Sequence, residues 1–215
     1  MGKPNASEHP SYPQDSYPEL KGVRVTWDKK THQLRKARGL LTEESDEASE
    51  RVASRFLDRY SPLLGKDEGS VLDDLKLTQV TRSPAGYEAR FQQYVGEVPV
   101  YRGQVSIYLT ERGQVYGISN SYRPNAARVD VTEALKGGIE APKACQIAVD
   151  EVRGEGRLRR APEAELVIYP LNEENRLAWQ VSVALKAPVQ VWVVFVDVCT
   201  GRVLDKVPTL MRRAE

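Results

Sequence analysis

Residues 89–103 read Ala89-Arg90-Phe91-Gln92-Gln93-Tyr94-Val95-Gly96-Glu97-Val98-Pro99-Val100-Tyr101-Arg102-Gly103. Two strand-like runs flank Gly96. Glycine takes positive φ without a Cβ penalty, as a tight hairpin turn requires. Pro99 has no N–H for a ladder, so it suits the first residues or the edge of a strand. In the second run Tyr101, Gly103, Val105, Ile107 and Leu109 share one row at a period of two, which predicts one face of a strand. Gln92 and Gln93 are the residues that packing explains least, because neighbours on a strand face opposite sides. Together with Tyr94 they are candidates for a protein interface, or one of the two glutamines hydrogen-bonds inside the fold.

Outward from this hairpin the pattern continues. Strands are predicted at residues 75–82, 87–95, 98–110 and 114–122, with Glu111-Arg112-Gly113 as a hairpin turn. A helix precedes them. Ser45 is its expected N-cap, Asp46 and Glu47 complement its dipole, and Ala53, Phe56, Leu57 and Tyr60 form its apolar stripe. Ser61-Pro62 should end it, since proline disfavours helical geometry in the residue before it. A second helix should open near Pro142, bury Cys145, Ala148, Val149 and Val152, and close on Gly154. Four more strands follow at residues 165–169, 176–186, 189–199 and 202–207. The stretch 191–198 is apolar on both faces, so it should be a central strand. Helix then meander, twice over, gives an α+β fold of two domains. Each is a helix packed on a curved antiparallel β-sheet, and the boundary falls near Arg123-Pro124-Asn125.

With 215 residues, 40% of them hydrophobic, the chain can bury its cores without disulfides or metals. A net charge of +1 supplies no field to draw in nucleic acid or an anionic membrane. The cluster Arg157, Arg159 and Arg160 lacks the interleaved aromatic side chains that stack on bases. No apolar run reaches the length of a membrane span, and the N-terminus has no signal-peptide hydrophobic region. Cys145 and Cys199 read as two small buried side chains, with a single bridge between them left open. Residues 1–20 carry Pro4, Pro10, Pro13 and Pro18 and read as a disordered tail.

Catalytic chemistry has little to work with. A hydrolytic zinc site needs about three protein ligands and an open position. The histidines here are His9 and His32, and no His-Glu-x-x-His helix exists. Neither cysteine has a neighbouring base, and there is no Gly-x-Ser-x-Gly elbow and no phosphate-binding glycine loop. Glu173-Glu174, beside Asn172 and Asn175, reads as a solvated turn. The expectation is a protein with no catalytic residue, no metal and no cofactor.

The hairpin at 89–103 resembles the signature of the fungalysin/thermolysin propeptide (FTP) domain, in which a Phe-Gln-Gln strand meets a Gly-x-Pro-Val turn. Val23-Arg24-Val25-Thr26-Trp27-Asp28 resembles that family's opening strand. The second half resembles the PepSY domain that follows in the same propeptides. The matching residues are the helix at 144–152, Leu166-Val167-Ile168-Tyr169-Pro170, Leu177-Ala178-Trp179-Gln180-Val181 and Trp192-Val193-Val194-Phe195-Val196-Asp197 with Thr200-Gly201. The resemblance implies a tail at 1–20, an FTP-like domain at 21–124, a PepSY-like domain at 125–208 with a cystatin-like helix-on-sheet fold, and a C-terminal tail at 209–215. It implies a non-catalytic protein that inhibits a thermolysin-like metalloprotease or assists its folding. The partner would be the protease catalytic domain, in trans or in cis, in an extracellular or cell-envelope setting. Because the sequence ends at Glu215 without a protease, action in trans is the leading expectation. The first part of a longer protease precursor and an envelope peptide-binding PepSY module are the alternatives. Thr209, Leu210 and Met211 would then run toward the protease cleft.

Overall fold

The stripe Val52, Ala53, Phe56 and Leu57 organises α1, Ser49–Arg59, and all four side chains are buried. The computed structural model describes residues 17, 20–66, 68–153, 156–171, 174–186 and 189–209. The chain forms two units. Unit 1 is Met1–Gln92 with Gln104–Tyr122, and unit 2 is Gln93–Gly103 with Arg123–Glu215. The expected α+β class, helices on mainly antiparallel sheet, is what the structure shows.

Unit 1 uses β1 (Arg24–Trp27), β2 (Leu34–Arg38), β3 (Leu75–Ser83), β4 (Gly86–Val95) as far as Gln92, β5 (Val98–Leu109) from Gln104 onward, and β6 (Val115–Asn120). Their order is β1-β2-β6-β5; β4 pairs with β5, and β3 pairs with β4. Phe56 and Leu57 of α1 pack with Ala89 and Phe91 of β4 and with Val105, Ile107 and Leu109 of β5. Both expected turns are present, with Gly96 at φ 60° and Gly113 at φ 72°. Buried Tyr122 donates its hydroxyl proton to Asp74, and Lys66 Nζ lies 2.7 Å from the same carboxylate.

Several local expectations are corrected. Ser45 is not the N-cap of α1. Ala48 holds that position, while Ser45 Oγ accepts from the Glu47 N–H at 3.3 Å in the preceding turn. α1 does end at Arg59, just before Ser61-Pro62 as expected, but the chain does not leave helical geometry there. A short α2, Ser61–Leu64, follows directly and carries the proline in its first turn, where no N–H is required. The polar strand β2 has only Leu34 and Ala37 buried, too weak an alternation to read from sequence.

Unit 2 is a meander of β7 (Glu163–Leu171), β8 (Glu174–Lys186), β9 (Val189–Asp197) and β10 (Val203–Thr209), all paired antiparallel in that order. β9 is an interior strand, as its two apolar faces require. Val100 of β5 pairs in parallel with Ile168 of β7, which corrects the expectation of purely antiparallel sheets. The connection between those two residues is long enough for such a crossover. The unit also holds α3 (Val131–Lys136) and α4 (Ala141–Val152). Ala144, Ala148 and Val152 of α4 are fully buried, and Cys145 and Val149 flank them half-buried. Both cysteines are free thiols. The expected Gly154 cap lies outside the described residues. No helix among the described residues is long and apolar enough to cross a membrane.

Candidate protein-binding surface

Strand alternation divides the unit 2 sheet into two different faces. Val181, Val183 and Leu185 of β8 and Val194 and Val196 of β9 pack under α4. Ile168, Leu177 and Val198 lie beneath Ala126, Val129, Val131 and Ala134. The alternate residues form a separate apolar cluster on the opposite face. There Val167, Tyr169, Ala178 and Phe195 are buried, with Tyr101, Leu171, Val193, Leu204 and Val207 half-buried around them. No helix among the described residues of unit 2 covers this face.

Aromatic side chains organise its centre. Phe195 lies 4.5 Å from Tyr101 and 4.4 Å from Tyr169, centroid to centroid, and the two tyrosines stack at 5.6 Å. These are favourable aromatic separations. Tyr169 lies across the sheet: its ring packs on β9, and its hydroxyl donates to Asp205 of β10 at 2.7 Å. Burial pushes the Tyr169 hydroxyl well above its ordinary pKa, and the neighbouring Asp205 carboxylate pushes it further. The tyrosine therefore stays a neutral donor to Asp205 at neutral pH.

In unit 1 the sheet face turned away from α1 is polar. Glu88, Arg90 and Gln92 alternate with buried Ala89 and Phe91 along β4, and Gln104 and Ser106 alternate with Val105 and Ile107 along β5. Glu88 accepts from Ser106 Oγ at 2.9 Å and pairs with Arg90 at 3.0 Å, while Gln92 Oε1 accepts from Gln104 Nε2 at 3.1 Å. Such a face is well satisfied by itself and by water. On the helix-free face of unit 2 the half-exposed side chains are apolar or aromatic instead: Tyr101, Leu171, Val193, Leu204 and Val207.

The residues singled out in the sequence are distributed unevenly. Gln92 lies on the polar face of unit 1. Gln93 is fully buried. Its Nε2 donates to the Arg123 carbonyl and its Oε1 accepts from the Arg123 N–H, each at 2.8 Å, so the amide holds the fold together from inside. Tyr94 is half-buried in unit 2. Thr209 is exposed at the end of β10, opposite Val191 of β9. Within unit 2 Tyr94 and Thr209 are five strands apart, roughly 24 Å at the ordinary strand spacing. Leu210 and Met211 lie outside the described residues. Tyr101, Tyr169, Phe195 and Asp205 were not singled out. The available signal was the stretch 191–198, apolar on both faces in a half of the chain with one strong amphipathic helix to cover a single face.

His32 sits in the β1–β2 turn, and among the described residues no three His, Cys, Asp or Glu side chains gather as a metal site. Residues 73–122 match the family model described as the Fungalysin/Thermolysin Propeptide Motif. The chain is 31% identical over 170 residues to a thermolysin of Alicyclobacillus acidocaldarius subsp. acidocaldarius, covering 75% of this chain and 30% of that protein. It is 27% identical over 196 residues to the thermostable neutral protease NprT of Geobacillus stearothermophilus, covering 86% of this chain and 35% of that one. The chain thus spans about a third of the length of the curated relatives it matches. Among solved structures, the Bacillus megaterium YpeB C-terminal domain aligns with a TM-score of 0.39 at 13% identity, covering 97% of this chain and 100% of that one.

Proposed function

We propose that the chain is the propeptide region of a secreted thermolysin-like metalloprotease or a relative of such a region, non-catalytic itself, that binds the protease catalytic domain and inhibits it or assists its folding. The match of residues 73–122 to the propeptide motif carries this reading. In these terms residues 21–124 are the FTP-like part and 125–208 the PepSY-like part. The contact surface is the helix-free face of unit 2, where Tyr101, Val193, Leu204 and Val207 are half-exposed over buried Tyr169 and Phe195. A stable complex needs about 1,200–2,000 Å² of buried surface, with aromatic anchors near its centre. By binding only the folded protease, the chain would stabilise that state through mass action.

The test is titration of the purified chain into thermolysin-like proteases, native for inhibition and denatured for refolding yield. Saturable inhibition or an improved yield at micromolar concentration is expected. Val193→Asp on the helix-free face should weaken both effects, while Ser106→Asp on the polar face of unit 1 should not. Absence of both effects from the unaltered chain would sink the proposal. Equal effects of the two substitutions would move the interface away from the unit 2 face.

A further inference from the structure

Two non-glycine residues among those described have positive φ: His32 at 55° and Arg102 at 56°. His32 has a local reason, since it turns the chain between β1 and β2 and donates its N–H to the Asp28 carbonyl at 3.0 Å. Arg102 lies inside strand β5, where no turn calls for it. The backbone does need an irregularity there. A Cβ at Gly103 would sit 2.8 Å from Val100 Cβ and 3.1 Å from Gln93 Oε1, so the strand runs close against the buried glutamine and bends at Arg102.

Glycine at position 102 would meet that need without strain. Arginine does not, because its Cβ crowds the backbone in the left-handed region. A residue strained by its backbone persists where its side chain has a use. Inside the fold that use is slight. The side chain is exposed, its guanidinium carbon lies 5.2 Å from the Tyr101 ring centroid, and no carboxylate among the described residues pairs with it. On the same face, the Asp205 carboxylate is already engaged by the Tyr169 hydroxyl.

Resting on the function proposed above, we infer that Arg102 is a specificity-determining anchor, a cation stacked on Tyr101 at the rim of the aromatic face that pairs with an aspartate or glutamate side chain of the bound protease. Stacking orients the planar guanidinium before the partner arrives, which lowers the ordering cost of a two-pronged Arg–carboxylate contact. Arginine presents donors only, and among protein side chains the acceptor that matches its charge and fork is a carboxylate.

The experiment compares the full chain with Arg102→Gly and Arg102→Lys, measuring affinity for a thermolysin-like protease at low and high salt and the thermal midpoint of each chain alone. Arg102→Gly should unfold at an equal or higher temperature yet bind about tenfold more weakly, with a flatter salt dependence. Arg102→Lys should fall between, because it keeps the charge and loses the planar fork. Binding by Arg102→Gly within twofold of the unaltered chain would overturn the inference. So would a joint loss of stability and affinity, which would make Arg102 a structural residue. Failure of the unaltered chain to bind any such protease would remove the proposed function, and the anchor with it.

Discussion

Replacing Gln93 with alanine should cost unit 2 about 2–5 kcal/mol. The side chain is fully buried, and its amide meets both polar groups of the Arg123 backbone at 2.8 Å. Alanine leaves that N–H and that carbonyl without their partner, at about 1–3 kcal/mol for each one that stays out of reach of water. The lost side-chain volume adds a cavity term. Urea denaturation followed by tryptophan emission is a suitable assay, because Trp179 and Trp192 belong to unit 2 and Trp27 to unit 1. With an m-value of about 1.5 kcal/mol/M, a loss of about 3 kcal/mol lowers the unit 2 midpoint by about 2 M. Gln92→Ala is the control. It removes one exposed bond to Gln104 and should change stability by no more than about 0.5 kcal/mol. Gln93→Glu should also destabilise at neutral pH, since its second carboxylate oxygen would face the Arg123 carbonyl oxygen. That loss should recede as pH falls, because the folded state then binds a proton that the unfolded state releases more readily. A Gln93→Ala protein that unfolds like the unaltered chain but binds protease poorly would refute the reasoning and return Gln93 to the interface.

Other expectations concern charge, space and thiols. Asp28 accepts from the N–H groups of Thr31 and Lys30 and from the Arg35 guanidinium, and the Thr31 contact first, then Arg35, hold its carboxyl far below the usual range. A depressed folded pKa gives stability that is present above the unfolded value and lost on acidification. Asp28→Asn should therefore flatten the acid limb of unit 1 unfolding below about pH 4 in a circular-dichroism titration. A Cβ on Gly138 would stand 2.3 Å from Val198 Cγ1, whereas one on Gly137 would meet nothing within 4 Å. Gly138→Ala should thus destabilise unit 2 by about 1–3 kcal/mol and Gly137→Ala by almost nothing, as read from urea midpoints. Cys199 is exposed, while burial pushes the Cys145 thiol pKa up. Iodoacetamide labelling followed by peptide mass analysis should find Cys199 alkylated first.

Much of this architecture was legible because period-two runs such as Leu177, Trp179, Val181, Val183 and Leu185 specify a strand and its buried face together. Three features depended on contacts that no local pattern contains. The row Tyr101, Gly103, Val105, Ile107, Leu109 reads as one face, but the positive φ at Arg102 interrupts it. Tyr101 joins the aromatic cluster of unit 2, and Val105, Ile107 and Leu109 join the core of unit 1. The parallel pair Val100–Ile168 joins residues far apart in sequence, beyond any window of alternation. α3 buries none of its own side chains fully, so it left no stripe to find. The glutamine pair was correctly marked as unusual. Sequence could not tell which amide closes on a backbone group thirty residues away and which one stays at the surface.

The passage of residues 93–103 into unit 2 bears on how such a chain can be recombined. An exchange of gene segments at residue 123 would look clean on the sequence, yet it would transmit β7 without its neighbour Val100 and a core without Val98 and Val100. The recipient would have to bring an equivalent hairpin tip of its own, with a glutamine placed to meet the incoming Arg123 backbone. A break before β4 fares no better, because it parts α1 from Ala89, Phe91, Val105, Ile107 and Leu109 in the core of unit 1, so the two units are heritable only together.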